Sequence, residues 1–401
     1  MGEKQEQHWV PQHHMRLFAG NPKRIALVTR ASGAIIPSAS IRHQCARHMF
    51  YGDPSVEDAL SRIETRHALA YRAAVALAWE SGPALTPMQL YNLREALILQ
   101  RARTPAHAAI SASSMDQATL HLYLEHLKSL PRSKRNRELI RAIESDRVRL
   151  RHSRAFALQA ALSTVHDLTP LAQDLVLRVL RNRTSTPFLL GTAPSVYSNH
   201  YQREVTAHGV LGITSQGLMV AMPLNATTYL IAYDPGKYRF RGSARVVDID
   251  LPDDVMRLNR LQAFATGECL YFAQAAHAED AVMILSSCPQ CQDYGRGGFQ
   301  LLTEVEGEES SSDSPKRTYR PIAVGEDDAR GDIIMMFERQ LPETLELSVF
   351  ETADFEGIAA AYPPRCQHLV DRFEPRDLPG YGKPTGIDQL VELVESQMET
   401  W

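Results

Sequence analysis

Cysteine is scarce. Five thiols in 401 residues cannot build the disulfide framework that holds small secreted domains, so a reducing, cytoplasmic location is expected. Long apolar runs are also missing: none approaches the roughly 20 residues needed to cross a bilayer, and no membrane association is expected. The opening segment Met1–Glu6 is polar and charged, unlike a secretory leader, and Glu6 stands where N-myristoylation needs Ser or Thr. There is no P-loop, no Gly-x-Gly-x-x-Gly fingerprint, no Gly-x-Ser-x-Gly elbow and no EF-hand loop. An RNA-binding aromatic signature and an internal repeat are lacking too. Together these absences remove several common nucleotide-binding and serine-hydrolase classes.

The composition that remains, 44% apolar and 22% charged, is that of an ordinary globular chain long enough for one large core or two domains. The net charge of −4 hides an asymmetry. Met1–Thr303 carries 34 Lys/Arg against 25 Asp/Glu, whereas Glu304–Trp401 carries 9 against 22. A basic body with an acidic tail bears on partners rather than on fold.

The first ordered stretch, His8-Trp9-Val10-Pro11-Gln12-His13-His14-Met15-Arg16-Leu17-Phe18, sets polar and titratable groups between apolar ones. Burying such groups without partners costs about 1–3 kcal/mol each, so partners are expected elsewhere in the chain. Further polar islands occur at Glu64, beside Ile63, and at Gln100-Arg101-Ala102-Arg103-Thr104-Pro105. Gln7-His8-Trp9-Val10-Pro11-Gln12, Ile63-Glu64, Gln100–Pro105 and the segment Pro187–Val196 follow one another as in the family described as domain of unknown function 4238. The chain resembles that family over residues 7–275. The resemblance implies a fold outline and a residue list, and carries no activity. Similar sequences have an acidic turn, Ser/Thr-Asp-x-Pro, where this chain has Gly191-Thr192-Ala193-Pro194. If that aspartate bound metal or acted as a base, Thr192 would impair the site.

Along the chain, Arg24–Thr29 reads as a strand, and Arg42–His48 forms a second titratable cluster. Asp53-Pro54 supplies a cap for a helix to about Gly82, whose stripe is Val56, Leu60, Ile63, Leu69, Val75 and Leu77. Thr86-Pro87-Met88-Gln89 has capping-box spacing for a second helix, halted at Thr104-Pro105. Met115–Leu130, Arg135–Leu162 and a segment from Thr169-Pro170 through Leu180 complete a helical insertion over 54–182. Phe188–Leu190, Leu218–Leu224, Thr227–Tyr233, Arg245–Ile249 and Ala281–Ser286 read as strands, with a helix at Val255–Phe264.

The fold class expected is α+β: a bundle-like helical layer packed on a mostly antiparallel sheet that includes the Ile25 strand. The domain layout is a family-like unit at 1–303, an acidic Ser-rich linker at 304–317, and an acidic appendage at 318–401. A strand at Leu345–Phe350 and a helix at Ile387–Met398 fall in that appendage. The appendage either shields the basic body or packs on the sheet through Leu345, Val349 and Phe350.

Three constellations carry candidate chemistry. The first is His8, Gln12, Glu64, Gln100 and Arg103. Imidazole with carboxylate suits acid/base work, an arginine clamps a phosphate, and a glutamine orients water. The competing reading is a buried polar network that pins the N-terminal segment. The second is metal: Cys288 and Cys291 have the spacing of two zinc-binding thiolates, with Cys366 and His368 as the remaining candidates. Two unliganded thiols or a redox pair are the alternatives. The third is Arg132–Arg154, with nine Lys/Arg against three Asp/Glu, a surface for nucleic acid or an acidic protein, or simply a solvated helix. Two functions follow: a hydrolase, such as a nuclease, with His8 and Glu64 as acid and base; or a non-catalytic module that binds a polyanion or protein. Convergence of the five side chains on an open pocket favours the first, and burial under helices the second. Cofactors are not indicated.

Overall fold

Local capping chemistry starts the helices. The computed structural model describes residues 6–80, 82–205, 209–288, 297–305, 318–321, 333–338, 340–356 and 365. The chain opens with β1 (Glu6–His8), α1 (Gln12–Phe18), β2 (Arg24–Thr29), β3 (Ile35–Ser40) and β4 (Ala46–His48). Six helices follow: α2 (Pro54–Trp79), α3 (Pro87–Ala102), α4 (Pro105–Ser129), α5 (Lys134–Glu144), α6 (Arg154–Ser163) and α7 (Val165–Leu171). In α2 the Asp53 carboxylate accepts from the Ser55 N–H. Thr86 completes a capping box with Gln89 in α3. Thr104, Ser133 and Ser153 cap α4, α5 and α6 through their hydroxyl oxygens. Each such cap contributes about 1 kcal/mol.

Several helical boundaries differ from the sequence expectation. Thr104-Pro105 ends α3 and at once begins α4, because a capping hydroxyl followed by proline is also a start signal. The helix expected over Arg135–Leu162 is two. α5 closes in a Schellman turn, with Asp146 at φ +54° and the Arg147 and Asp146 N–H groups donating to Ala142 O and Ile143 O. The inner stripe of α2 is Leu60, His67, Ala70, Tyr71, Ala74 and Ala78, while Leu69 is exposed.

From there the chain is mostly strand: β5 (Val176–Asn182), β6 (Leu190–Gly191), β7 (Val196–Ser198), β8 (Met219–Asn225), β9 (Thr228–Tyr233), β10 (Tyr238–Phe240) and β11 (Val246–Ile249). α8 (Pro252–Ala265), β12 (Cys269–Phe272), α9 (Ala278–Ser287), β13 (Gly297–Val305), β14 (Thr318–Pro321), β15 (Ile333–Glu338) and β16 (Phe350–Thr352) complete it. The helix expected to start at Thr169-Pro170 and run through Leu180 is therefore not formed: those two residues lie in the last turn of α7, which ends at Leu171. Val176–Asn182 is an inner strand, antiparallel to β9 and parallel to β11, where β-branched residues pack well. Ala281–Ser286 is helical rather than extended, since Ala281, Ile284, Leu285 and Cys288 share one buried helical face.

The five-stranded sheet β11-β5-β9-β8-β7 lies between two cores. Met219, Ala221, Tyr229, Ile231 and Tyr233 face α8 and α9, and Leu218, Val220, Met222, Leu230 and Ala232 face the helical layer. The alternation follows from the two-residue period of a strand. The Ile25 strand does not join this sheet. β2 belongs to a second, four-stranded antiparallel sheet, β3-β2-β12-β6, with Trp9, Met15 and Phe18 packed beside it. The overall class is α+β.

Beyond residue 303 the expectations meet a mixed result. A three-stranded sheet, β14-β13-β15, occupies part of the expected linker and appendage. Residues 306–317, which hold most of the linker, and the helix expected at Ile387–Met398 lie outside the described residues. Leu341, Leu345, Leu347 and Phe350 are buried in the core with α8. Arg260 and Glu343 pair at 2.6 Å. The strand expected at Leu345–Phe350 is displaced to Phe350–Thr352, paired with β10. Residues 341–356 thus pack into the body instead of lying over its basic surface.

Candidate functional site

β1 pairs antiparallel with β4, setting Gln7 opposite Arg47 and His8 opposite Ala46. Gln7 is buried: its Oε1 accepts from the Tyr51 N–H at 2.6 Å, and its Nε2 donates to Asp53 O at 3.1 Å. The entry to α2 is thereby tied to the first strand. His8 Nε2 lies 3.0 Å from Arg42 O and 3.3 Å from Gln12 Nε2. Arg16 donates to Gln12 Oε1 at 2.6 Å, which turns the amide nitrogen toward the imidazole. One Nε2 cannot both donate to the carbonyl and accept from the amide. The shorter contact favours donation to Arg42 O. Burial lowers the His8 pKa, partly opposed by that carbonyl.

Arg103 caps the C-terminus of α3 and directs its guanidinium inward. Nε donates to Tyr51 Oη at 3.0 Å, Nη1 to Glu64 Oε1 at 2.7 Å, and Nη2 to His8 O. Tyr51 Oη donates to the same His8 carbonyl at 2.8 Å. One turn earlier on α3, Gln100 Nε2 donates to Trp9 O at 2.7 Å. Two consecutive carbonyls of the opening segment are therefore held by the end of α3. Arg101 points elsewhere, with its guanidinium 4.0 Å from the centre of the Tyr197 ring.

Burial also governs the charges deeper in. Glu57, two helical turns before Glu64 on α2, has its carboxyl pushed up to about 7 by burial, with Arg103 opposing. Burial lowers His13 to about 3, reinforced by His14 and Arg103. His14 Nε2 lies 2.7 Å from Pro223 O; since a carbonyl only accepts, Nε2–H is the donor. Its pKa is lowered to about 4, again by burial. His67 Nε2 meets Glu95 Oε2 at 2.9 Å, joining α2 to α3. Polar side chains line the space between α1, α2 and α3, and most are engaged.

Of the five residues singled out from sequence, His8, Gln12, Glu64 and Arg103 share one network, and Gln100 adjoins it through Trp9 O. They do not share one open pocket. A cavity of about 250 Å³ is lined by Glu6, His8, Gln12 and Arg42. Glu64, Gln100 and Arg103 are not among its walls, and Arg103 is 1% exposed. Sequence reasoning missed Glu6, Arg42, Gln7 and Tyr51. Arg42 stood in the titratable cluster Arg42–His48, and Gln7 in the opening motif; Glu6 and Tyr51 carried no signal.

Thr192 is buried against Thr266, with its hydroxyl 2.8 Å and its N–H 2.9 Å from that side-chain oxygen. Asn259 and Gln262 on α8 hold the same segment through the N–H groups of Leu189 and Gly191. Cys288 is buried at the end of α9, and burial raises its thiol pKa. Cys291, Cys366 and His368 lie outside the described residues. Among the described residues no group of three or more His, Cys, Asp or Glu is placed to hold a metal ion. Cys45 faces Tyr271 Oη at 3.3 Å. The segment Arg132–Arg154 forms α5 and the turn to α6, with Arg132, Arg137, Arg141, Arg147, Arg151 and Arg154 exposed. No described helix is long and apolar enough to cross a membrane.

The chain belongs to the family described as "Protein of unknown function (DUF4238)", whose model matches residues 6–276. The matched span takes in the Arg103 network, the cavity and α5, and stops short of Cys288. No curated protein and no solved structure matches the chain.

Proposed function

We propose that the chain is a nucleic-acid-binding module whose contact surface is Arg132–Arg154, and that the Arg103 network is a clasp for the N-terminal segment. The carrying observation is the balance of that surface. Its three acids are engaged: Glu138 with Lys134 at 4.0 Å, Asp146 with Arg149 at 2.6 Å, and Glu144 with Lys128 at 3.8 Å. Arg137, Arg141, Arg147, Arg151 and Arg154 add exposed positive charge that those pairs do not neutralise. A phosphate backbone asks for little more than such density. The clasp reading is supported by Arg103, whose guanidinium nitrogens are all bonded within the fold. An anion could reach them only by displacing the clasp. Arg137→Glu combined with Arg141→Glu is expected to weaken binding of a DNA duplex. The slope of log affinity against log salt should become shallower by about 0.9 for each phosphate no longer neutralised. Both side chains are exposed, so the thermal midpoint should stay where it is. Unchanged affinity and slope would reject the surface; preferential binding of an acidic protein over DNA would replace the partner.

A second reading, a hydrolase of phosphate esters, is favoured by the cavity alone. It is lined by Glu6, His8, Gln12 and Arg42, a carboxylic acid, an imidazole, an amide and an arginine about one space. Here Arg42 rather than Arg103 would meet the phosphate, and His8, whose Nε2–H is given to Arg42 O, would serve as base through Nδ1. Turnover of bis(p-nitrophenyl) phosphate that disappears in His8→Gln, with DNA binding retained, would establish this reading. Absence of turnover by the unaltered chain would end it for such esters.

A further inference from the structure

We infer that the nucleic acid held by the basic segment is single-stranded, and that Phe156, stacked on His152, is a platform for one of its bases. The inference rests on the surface proposed above. A single exposed apolar side chain means little by itself; the surroundings of this one are what matter. Two aromatic rings stand among the large exposed apolar side chains described, Trp79 and Phe156. Trp79 is committed to the fold. Its indole N–H donates to Thr228 Oγ1 at 3.1 Å, and the Arg181 and Arg183 guanidiniums lie 5.9 and 5.5 Å from its ring centre. Phe156 is 51% exposed. Its ring stacks on the His152 imidazole with centroids 5.6 Å apart and planes at 17°.

The ring beneath is fixed. His152 Nδ1 lies 2.8 Å from Asp116 Oδ1, and the His152 backbone N–H donates to the same oxygen at 2.6 Å. Phe156 sits in the first turn of α6, where its own N–H is bound by the Ser153 cap at 3.1 Å. Backbone and stacking partner are both held in place, which lowers the ordering cost that a flexible aromatic would meet on binding. Arg151 precedes the pair in sequence and Arg154 lies between its two members, and both arginines are exposed. An aromatic face next to guanidiniums is the combination that single strands use, with bases stacked and phosphates paired. A duplex keeps its base faces covered by one another, so it can use the arginines but not the platform. A protein partner that docked on the ring would meet a segment whose exposed charges are mostly arginines.

The test uses the full chain and fluorescence anisotropy with labelled oligothymidylate, a DNA hairpin of matched charge, and heparin. The single strand is expected to bind more tightly than the hairpin. Phe156→Leu keeps apolar volume and removes the π face; it should weaken oligothymidylate binding about tenfold and leave hairpin and heparin unchanged. Phe156→Tyr should restore the loss. Equal binding of single strand and hairpin, or an equal effect of Phe156→Leu on all three ligands, would overturn the platform while leaving the basic surface intact. Failure of the unaltered chain to bind any of the three would overturn the surface and the platform together.

Discussion

Lowering the pH from 7 to 5 is expected to cost the fold about 4 kcal/mol. Three imidazoles are held neutral by burial: His14 at about 4, and His13 and His107 at about 3. Their ordinary value is 6.5, which is what the unfolded chain offers. As pH falls through that value the unfolded state takes up protons and the folded state does not. The stability these groups confer is therefore complete above pH 6.5 and is lost on the way down toward pH 4 and 3. By pH 5 each has lost about 2 kcal/mol. Glu57 works in the other direction. Its carboxyl sits at about 7, above the usual 4.5, so its ionisation destabilises the fold at neutral pH and that penalty fades in acid. The return is about 2 kcal/mol at most, and less because the side chain is partly exposed. The imidazoles win. Urea midpoints at the two pH values measure the difference, and equal midpoints would mean that these rings titrate normally in the fold. His14→Gln keeps a donor for Pro223 O and should remove about half of the net pH dependence.

How much of this could be read from the chain depends on whether the deciding signal was local. Asp53-Pro54 and Thr86-Pro87-Met88-Gln89 start α2 and α3 because cap and proline act within one turn. β8 and β9 are visible as dense apolar runs, and the structure buries both of their faces. The end of α5 is hidden, since its left-handed residue is Asp146 rather than glycine. β5 and α9 mislead because short apolar segments look alike until their neighbours are known. Strand pairing makes one extended, and a helical face buried against α8 and β12 makes the other helical. At the polar site the obstacle is different. His8, Glu64, Gln100 and Arg103 stand out as polar islands, but apart from the direct Arg103–Glu64 pair the bonds that join them run through the carbonyls of His8 and Trp9. Every residue has such a carbonyl, so no pattern of side chains announces which ones are used. Tyr51, bonded both to Arg103 and to His8 O, escapes for the same reason.

Arg103→Met is expected to destabilise the folded chain by about 3 kcal/mol. Methionine retains much of the side-chain volume, so the loss is chiefly electrostatic rather than a void. Glu64 would keep its charge without the guanidinium 2.7 Å away, and a fifth of its side chain is exposed. Water can thus relieve it in part, which places the cost at the low end of the roughly 3–5 kcal/mol typical of a broken buried pair. His8 O retains the Tyr51 hydroxyl, so that carbonyl keeps one of its two side-chain donors. Adding Glu64→Gln should recover part of the loss, because the stranded charge is removed; the double-mutant cycle then reports the coupling of the pair. The outcome separates the two roles of the cluster. As a clasp, Arg103→Met lowers the unfolding midpoint while the molecules still folded bind DNA through Arg132–Arg154 with unaltered affinity. As a catalytic clamp, it would leave the midpoint in place and abolish turnover. A midpoint unmoved by Arg103→Met would therefore count against the clasp, whatever the variant did to activity.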